Sequence, residues 1–132
     1  MADKLVKQVM HRGAITCTPN TSLHQIIRLM QETGVRAVVV IEEDEALGIV
    51  SHMDIVRHYG EDLSRLYARD VMSTELIAIS QEAPVNRAIE LILKHKVHRL
   101  PVVEGKQVIG LISTTDILRD MQQSGLGLIG GL

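Results

Sequence analysis

The sequence predicts an α/β (α+β) fold made of two tandem β-α-β-β-α repeats, packed sheet to sheet with pseudo-two-fold symmetry. Three observations carry that expectation. Shifted by 62 positions, residues 9–58 lie on residues 71–120 without a gap, and thirteen of the fifty pairs are identical. Each copy alternates aliphatic runs of strand length with one segment of helical periodicity. Hydrophobic residues make up 45% of the chain, yet there are only two tyrosines and no Phe or Trp, so the core must be aliphatic. A unit of about fifty residues buries too little surface to be stable alone, and the two copies are expected to share one core.

The expected organisation is a lead-in over 1–8, repeat 1 over 9–58, a connector over 59–70, repeat 2 over 71–120 and a tail over 121–132. Each repeat opens with a short strand, 14–18 or 76–80. Helices follow at 23–33 and 85–95. Leu23, Ile26, Ile27 and Met30 recur at steps of three and four, one face of a helix. Ser22 with Gln25 fits a capping box at its start, and Gly34 fits its stop. Two strands come next, 36–42 with 46–51 and 99–104 with 107–113. Their unbroken aliphatic runs suggest burial on both faces, and "EEDE" and "EGKQ" form the hairpin loops between them. A short helix starting at Ser51 or Ser113 closes each copy. The connector is amphipathic enough to be partly helical, and the Gly-rich tail is expected to be disordered.

The closing turns, "GIVSHMDI" at 48–55 and "GLISTTDI" at 110–117, carry the chemistry. Ser-x-x-Asp is a capping-box pattern, and a carboxylate suits the positive end of a helix dipole. A cap alone explains either copy. It does not explain why Ser51/Ser113 and Asp54/Asp116 both persist while 37 of the fifty pairs differ, or why basic residues open the matching strands.

The β-α-β-β-α repeat, with "TGVRAVVV" and "VHRLPVV" leading into these turns, resembles the cystathionine-β-synthase (CBS) domain, and the two in tandem resemble a Bateman module. That resemblance implies a non-catalytic regulatory module with no obligatory cofactor. It implies an adenosine-containing ligand (AMP, ADP or ATP, possibly NAD or S-adenosylmethionine) in clefts between the repeats, assembly as a homodimer, and signalling to an effector protein not identified by this chain. By position, Asp54 and Asp116 would hold ribose hydroxyls. Ser51, Ser113 and Thr114 would lie near phosphate or ribose, with Thr115 as an extra hydroxyl. Arg36, His98 and Arg99 would meet phosphate, and main chain at Ile15, Thr16, Ile77 and Ala78 would face adenine. The chemistry agrees: a carboxylate offers two acceptors to a ribose diol, each charged bond being worth roughly 1.5–3 kcal/mol. The fuller basic pair His98-Arg99 favours the second turn as the occupied one. The alternative is a ligand-independent dimeric scaffold.

Other classes find little support. A formal charge of −2 and few aromatics argue against nucleic acid. No run is long enough to span a bilayer, and no secretory h-region opens the chain, so a cytoplasmic protein is expected. Cys17, the one cysteine, excludes an intrachain disulfide and reads as a small buried hydrophobe. The six histidines lack metal-ligand spacing, no nucleophile sits beside a base, and "GIVS" and "GLIS" lack P-loop glycines. Arg57 and Arg119 read as structural, bonding helix-end carbonyls or acids of a dimer mate.

Overall fold

In a computed structural model, residues 4–129 are described, with side chains over 4–124. The chain forms α1 (Val6–Val9), β1 (His11–Arg12), β2 (Thr16–Cys17), α2 (Leu23–Thr33), β3 (Ala37–Glu42), β4 (Glu45–Ser51) and α3 (His52–Val56). The series then returns, without a strand in the place of β1, as α4 (Ala68–Val71), β5 (Ile79–Ser80), α5 (Val85–His95), β6 (Arg99–Glu104), β7 (Gln107–Ser113) and α6 (Thr114–Ile129). The order β-α-β-β-α therefore appears twice, each time preceded by one helical turn. Both long helices match their expected bounds. Ser22 Oγ accepts from Gln25 N–H while the Gln25 side chain accepts from Ser22 N–H, and Gly34 ends α2 at φ 76°. In the second copy Lys96 takes the same left-handed position at φ 55° without being glycine.

The opening strands are shorter than expected. Only Thr16 and Cys17 pair with β3, in parallel with Val39 and Val40, and only Ile79 and Ser80 pair with β6. β3 and β4 form an antiparallel hairpin, as do β6 and β7. The first hairpin turns through Glu43 and Asp44, both at positive φ and neither a glycine, whereas Gly105 fills that role in the second.

The sequence repeat and the folded units are not coextensive. Ala14–Leu76 forms one compact unit, and Ile77–Leu132 forms the other together with Met1–Gly13. The lead-in segments are exchanged. His11 and Arg12 pair with Leu111 and Gly110, so β1 extends the sheet of the second hairpin to the order β1-β7-β6-β5. Ser73, the residue equivalent to His11, bridges to Ile49 of the first hairpin. The preceding turns follow: Val6 N–H donates to Ala83 O, and Ala68 N–H donates to Thr21 O, both at 2.8 Å.

Buried apolar residues fall into two clusters, one in each unit, where one shared core was expected. The first holds Leu23, Ile26, Val38, Val40, Val50, Ile55 and Ala68; the second holds Val6, Ile79, Ala88, Ile92, Leu100, Val102 and Ile112. The exchanged turns explain the difference, because Ala68 and Val6 each enter the cluster of the unit they join.

The tail also departs from expectation, since α6 continues helical to Ile129; residues 130–132 lie outside the described residues. Gly60, at φ 92°, follows α3, but Gln122 stands at the equivalent position of the second copy and imposes no such stop. Lys4 further holds α6 through Asp120 at 2.5 Å and Ser124 at 3.4 Å.

Candidate functional site

Both Ser-x-x-Asp turns form complete reciprocal caps. Strand β4 ends at Ser51, whose extended backbone delivers the side chain to the first turn of α3. Asp54 Oδ2 accepts from Ser51 N–H at 2.8 Å and from Ser51 Oγ–H at 3.1 Å, while Ser51 Oγ accepts from Asp54 N–H at 3.4 Å. In the second copy Asp116 Oδ2 accepts from Ser113 N–H and Oγ–H, both at 2.9 Å, and the return bond is 3.1 Å. The capping explanation is therefore realised in full. One oxygen of each carboxylate is spent on the helix start.

The other oxygen is held by groups that the sequence did not suggest. Arg57 Nη1 donates to Asp54 Oδ1 at 3.2 Å, and Arg119 Nη1 to Asp116 Oδ1 at 3.3 Å. These arginines thus bond the turn acids one helical turn back. The two turns then diverge. His11 Nδ1, brought by the exchanged lead-in, lies 3.3 Å from Asp116 Oδ1. The Asp116 side chain is 6% exposed and that of Asp54 is 17% exposed. Among the described residues Asp54 has one partner on Oδ1 where Asp116 has two, so Asp54 is the less enclosed of the two acids.

The remaining candidates divide between the two units. In the first, Arg36 is exposed, and its carbonyl accepts from His52 N–H at 2.9 Å, setting that strand start beside the turn. In the second, His98 O accepts from Thr114 N–H at 2.9 Å, and Arg99 is in register with Ser113. Asp116, Ser113, Thr114, His98 and Arg99 are thus gathered in one corner. Thr16 and Ala78 are exposed and Ile15 and Ile77 half-buried at the strand openings. Val39 N–H donates to Ile15 O at 3.0 Å. Proline has no N–H, so Pro101, in the matching place, gives Ile77 O no such bond. His95 and His98 are separated by the end of α5, and among the described residues no three His, Cys, Asp or Glu side chains group as metal ligands.

A family profile described as the CBS domain matches residues 6–61 and again 68–123. The chain belongs to the CBS-domain family. The matched CBS spans begin at α1 and α4, so they include both exchanged turns. An uncharacterized protein of Methanopyrus kandleri is 33% identical over 119 residues, covering 86% of this chain and 61% of that one. An inosine-5'-monophosphate dehydrogenase of Korarchaeum cryptofilum is 30% identical over 117 residues, 88% of this chain but only 24% of the enzyme. This chain therefore spans about six-tenths of one relative and a quarter of the other. Among solved structures, the CBS domain pair of protein MJ0100, in complex with 5'-methylthioadenosine and S-adenosyl-L-methionine, superposes with a TM-score of 0.85 at 20% identity, covering 92% of this chain and 98% of that one. A CBS pair of this kind is a regulatory module. Among the described residues, no helix is long and apolar enough to cross a membrane.

Proposed function

We propose that this CBS pair is a non-catalytic module that binds an adenosine-containing ligand at its Ser-x-x-Asp turns and reports occupancy to a partner protein, working as a homodimer in the cytoplasm. AMP, ADP and ATP are the first candidates; NAD and S-adenosylmethionine share the same ribose. The observation that carries the reading is the state of Asp54. Its Oδ2 belongs to the cap, but among the described residues its Oδ1 is held by one arginine, whose side chain is 71% exposed. Exposed ion pairs are worth about 0–1 kcal/mol, less than the roughly 1.5–3 kcal/mol of a charged hydrogen bond to a buried diol. A ribose hydroxyl can therefore replace Arg57 without disturbing the helix start. Arg36 beside that turn supplies a fork for phosphate oxygens. The bound adenosine compounds of the MJ0100 pair support the ligand class by analogy.

Calorimetric titration with AMP, ATP, NAD and S-adenosylmethionine tests the reading. At least one is expected to bind, with Asp54→Asn weakening it by about ten- to a hundredfold, the equivalent of 1.5–3 kcal/mol, and leaving the melting transition in place. Silence toward all four overturns it. A second reading, a ligand-independent scaffold, is favoured by the complete satisfaction of both carboxylates. It predicts a dimer whose melting temperature ignores every nucleotide.

A further inference from the structure

Helices α2 and α5 hold equivalent places in their repeats and both run for 11 residues, but they end in different chemistry. α2 closes on Gln31, Glu32, Thr33 and Gly34; under the 62-residue shift, α5 closes on Leu93, Lys94, His95 and Lys96. No acidic residue stands between Glu90 and Glu104, so this end of α5 carries cations alone.

The fold does not require these residues. A cation suits the negative end of a helix dipole, yet α2 reaches the same length with no basic residue in its last turn. Glycine is the usual left-handed stop, and Gly34 supplies it at φ 76°. Lys96 takes φ 55° with a Cβ in place, at a conformational cost that glycine avoids. Intramolecular pairing does not use the charges either. Lys4 and Lys7 are paired with Asp120 and Glu82, whereas among the described residues no acid pairs with Lys94 or Lys96. Glu90, one turn before Lys94, is taken by Arg87 at 3.1 Å. Leu93 completes the group. Ile92 belongs to the core cluster of its unit and Leu91 packs against it, but Leu93 is 72% exposed. It adjoins Lys94 and stands three residues before Lys96, a spacing that makes neighbours at a helix end.

We propose that this end of α5 docks an acidic segment of the partner protein, with Leu93 packed on an apolar side chain and Lys94 and Lys96 on carboxylates flanking it. The contact takes the partner's role from the regulatory reading above, but it needs no ligand to form. Two lysines alone would serve any anion; the leucine between them narrows the choice. A phosphate chain or a nucleic-acid backbone gives Leu93 nothing apolar to bury, whereas an apolar centre inside a charged rim is how protein interfaces are built. Complementary charge also steers the encounter. The unit made of residues 1–13 and 77–132 holds nine basic and six acidic residues, a formal +3, although the whole chain is −2.

Peptide selection tests it. A random dodecapeptide phage library is panned on the full chain without nucleotide, and enriched peptides are measured by fluorescence polarisation. The comparison is the triple variant Leu93→Gln/Lys94→Glu/Lys96→Gly, which installs the residues that close α2. Those residues already end a helix of this length, so the melting temperature is expected to hold or rise. Enriched peptides are expected to place several acids around an apolar residue and to weaken as salt is raised. They should lose at least about tenfold in affinity on the triple variant. Selection of peptides with no acidic excess, or affinity unchanged on the triple variant, overturns the docking surface. Tighter binding of a single-stranded oligonucleotide or of inorganic triphosphate, lost in the same variant, also overturns it and assigns these cations to phosphate. A chain that selects acidic peptides yet ignores every nucleotide keeps this surface and loses the sensor.

Discussion

His11 Nδ1 lies 3.3 Å from Asp116 Oδ1, across 105 residues of sequence. The contact exists because the lead-in of the first repeat joins the sheet of the second. It adds little energy, since the ring is 70% exposed and exposed pairs contribute about 0–1 kcal/mol. The cap beneath it matters more. Replacing His11 by Ser, the residue that Ser73 supplies in the other unit, is expected to cost under about 0.5 kcal/mol. Asp116→Ala removes the reciprocal cap and leaves Ser113 N–H without its acceptor, so about 1–2 kcal/mol is expected. Urea midpoints of the two variants measure the difference. Equal losses would show that the histidine, not the serine, fixes this acid.

Gly48 and Gly110 persist for a reason that has nothing to do with turns. A Cβ at Gly48 would meet Ser73 O at 2.7 Å and Met72 Sδ at 2.8 Å; at Gly110 it would overlap His11 O and meet Met10 Cε at 2.8 Å. Each glycine is where the exchanged lead-in crosses its adopted hairpin. Flexible methionine can yield, but a backbone carbonyl paired in a sheet cannot, so Gly110→Ala must shift β1. Overpacking of this kind costs about 1–3 kcal/mol. Gly110→Ala is expected to lower stability more than Gly48→Ala, whose bridge at Ser73 is a single pair. Thermal denaturation of both variants provides the check, and a neutral Gly110→Ala would contradict the close approach.

The local architecture was legible because helix and hairpin signals are local. Ser22, Gln25 and Gly34 mark both ends of α2 through neighbouring backbone atoms, and "VVV" beside "EEDE" marks the first hairpin. The exchange was not legible. Val9/Val71 and Met10/Met72 read as the start of each repeat, yet α1 and α4 belong to the unit opposite in the repeat register, a choice made by distant pairing. At the turns, the capping box was visible in Ser-x-x-Asp. The histidine on Asp116 was not, because no short spacing links position 11 to position 116. Arg57 and Arg119 could have been found. They stand three residues after the acids, a spacing that brings side chains together on a helix, and they are among the thirteen identical pairs.

The exchanged lead-in also predicts how the chain fails. Removing residues 1–13 deletes Val6 from the second cluster and strips the β7 edge of its partner. An unpaired edge and a core gap left by a buried valine destabilise together. Hydrogen exchange of the truncated chain is expected to lose protection across β6 and β7 while β3 and β4 keep theirs. Uniform loss in both hairpins would mean that the units unfold as one.

Cys17 is expected to be inert at neutral pH. Its side chain is buried in the first cluster, and burial raises its pKa above the ordinary thiol value despite an opposing hydrogen bond with Thr21. The thiolate is the reactive form, so alkylation by iodoacetamide at pH 8 should be slow in the native protein and fast in urea. The same shift has a consequence for stability. The folded pKa lies above the unfolded one, so the contribution is fully present below the unfolded pKa and is lost as pH rises through the folded value. Melting temperature is therefore expected to fall on the alkaline side, above about pH 9. Cys17→Val, which keeps an apolar side chain where the second repeat has Ile79, should flatten that limb. A limb unchanged in Cys17→Val would assign the alkaline loss to other groups.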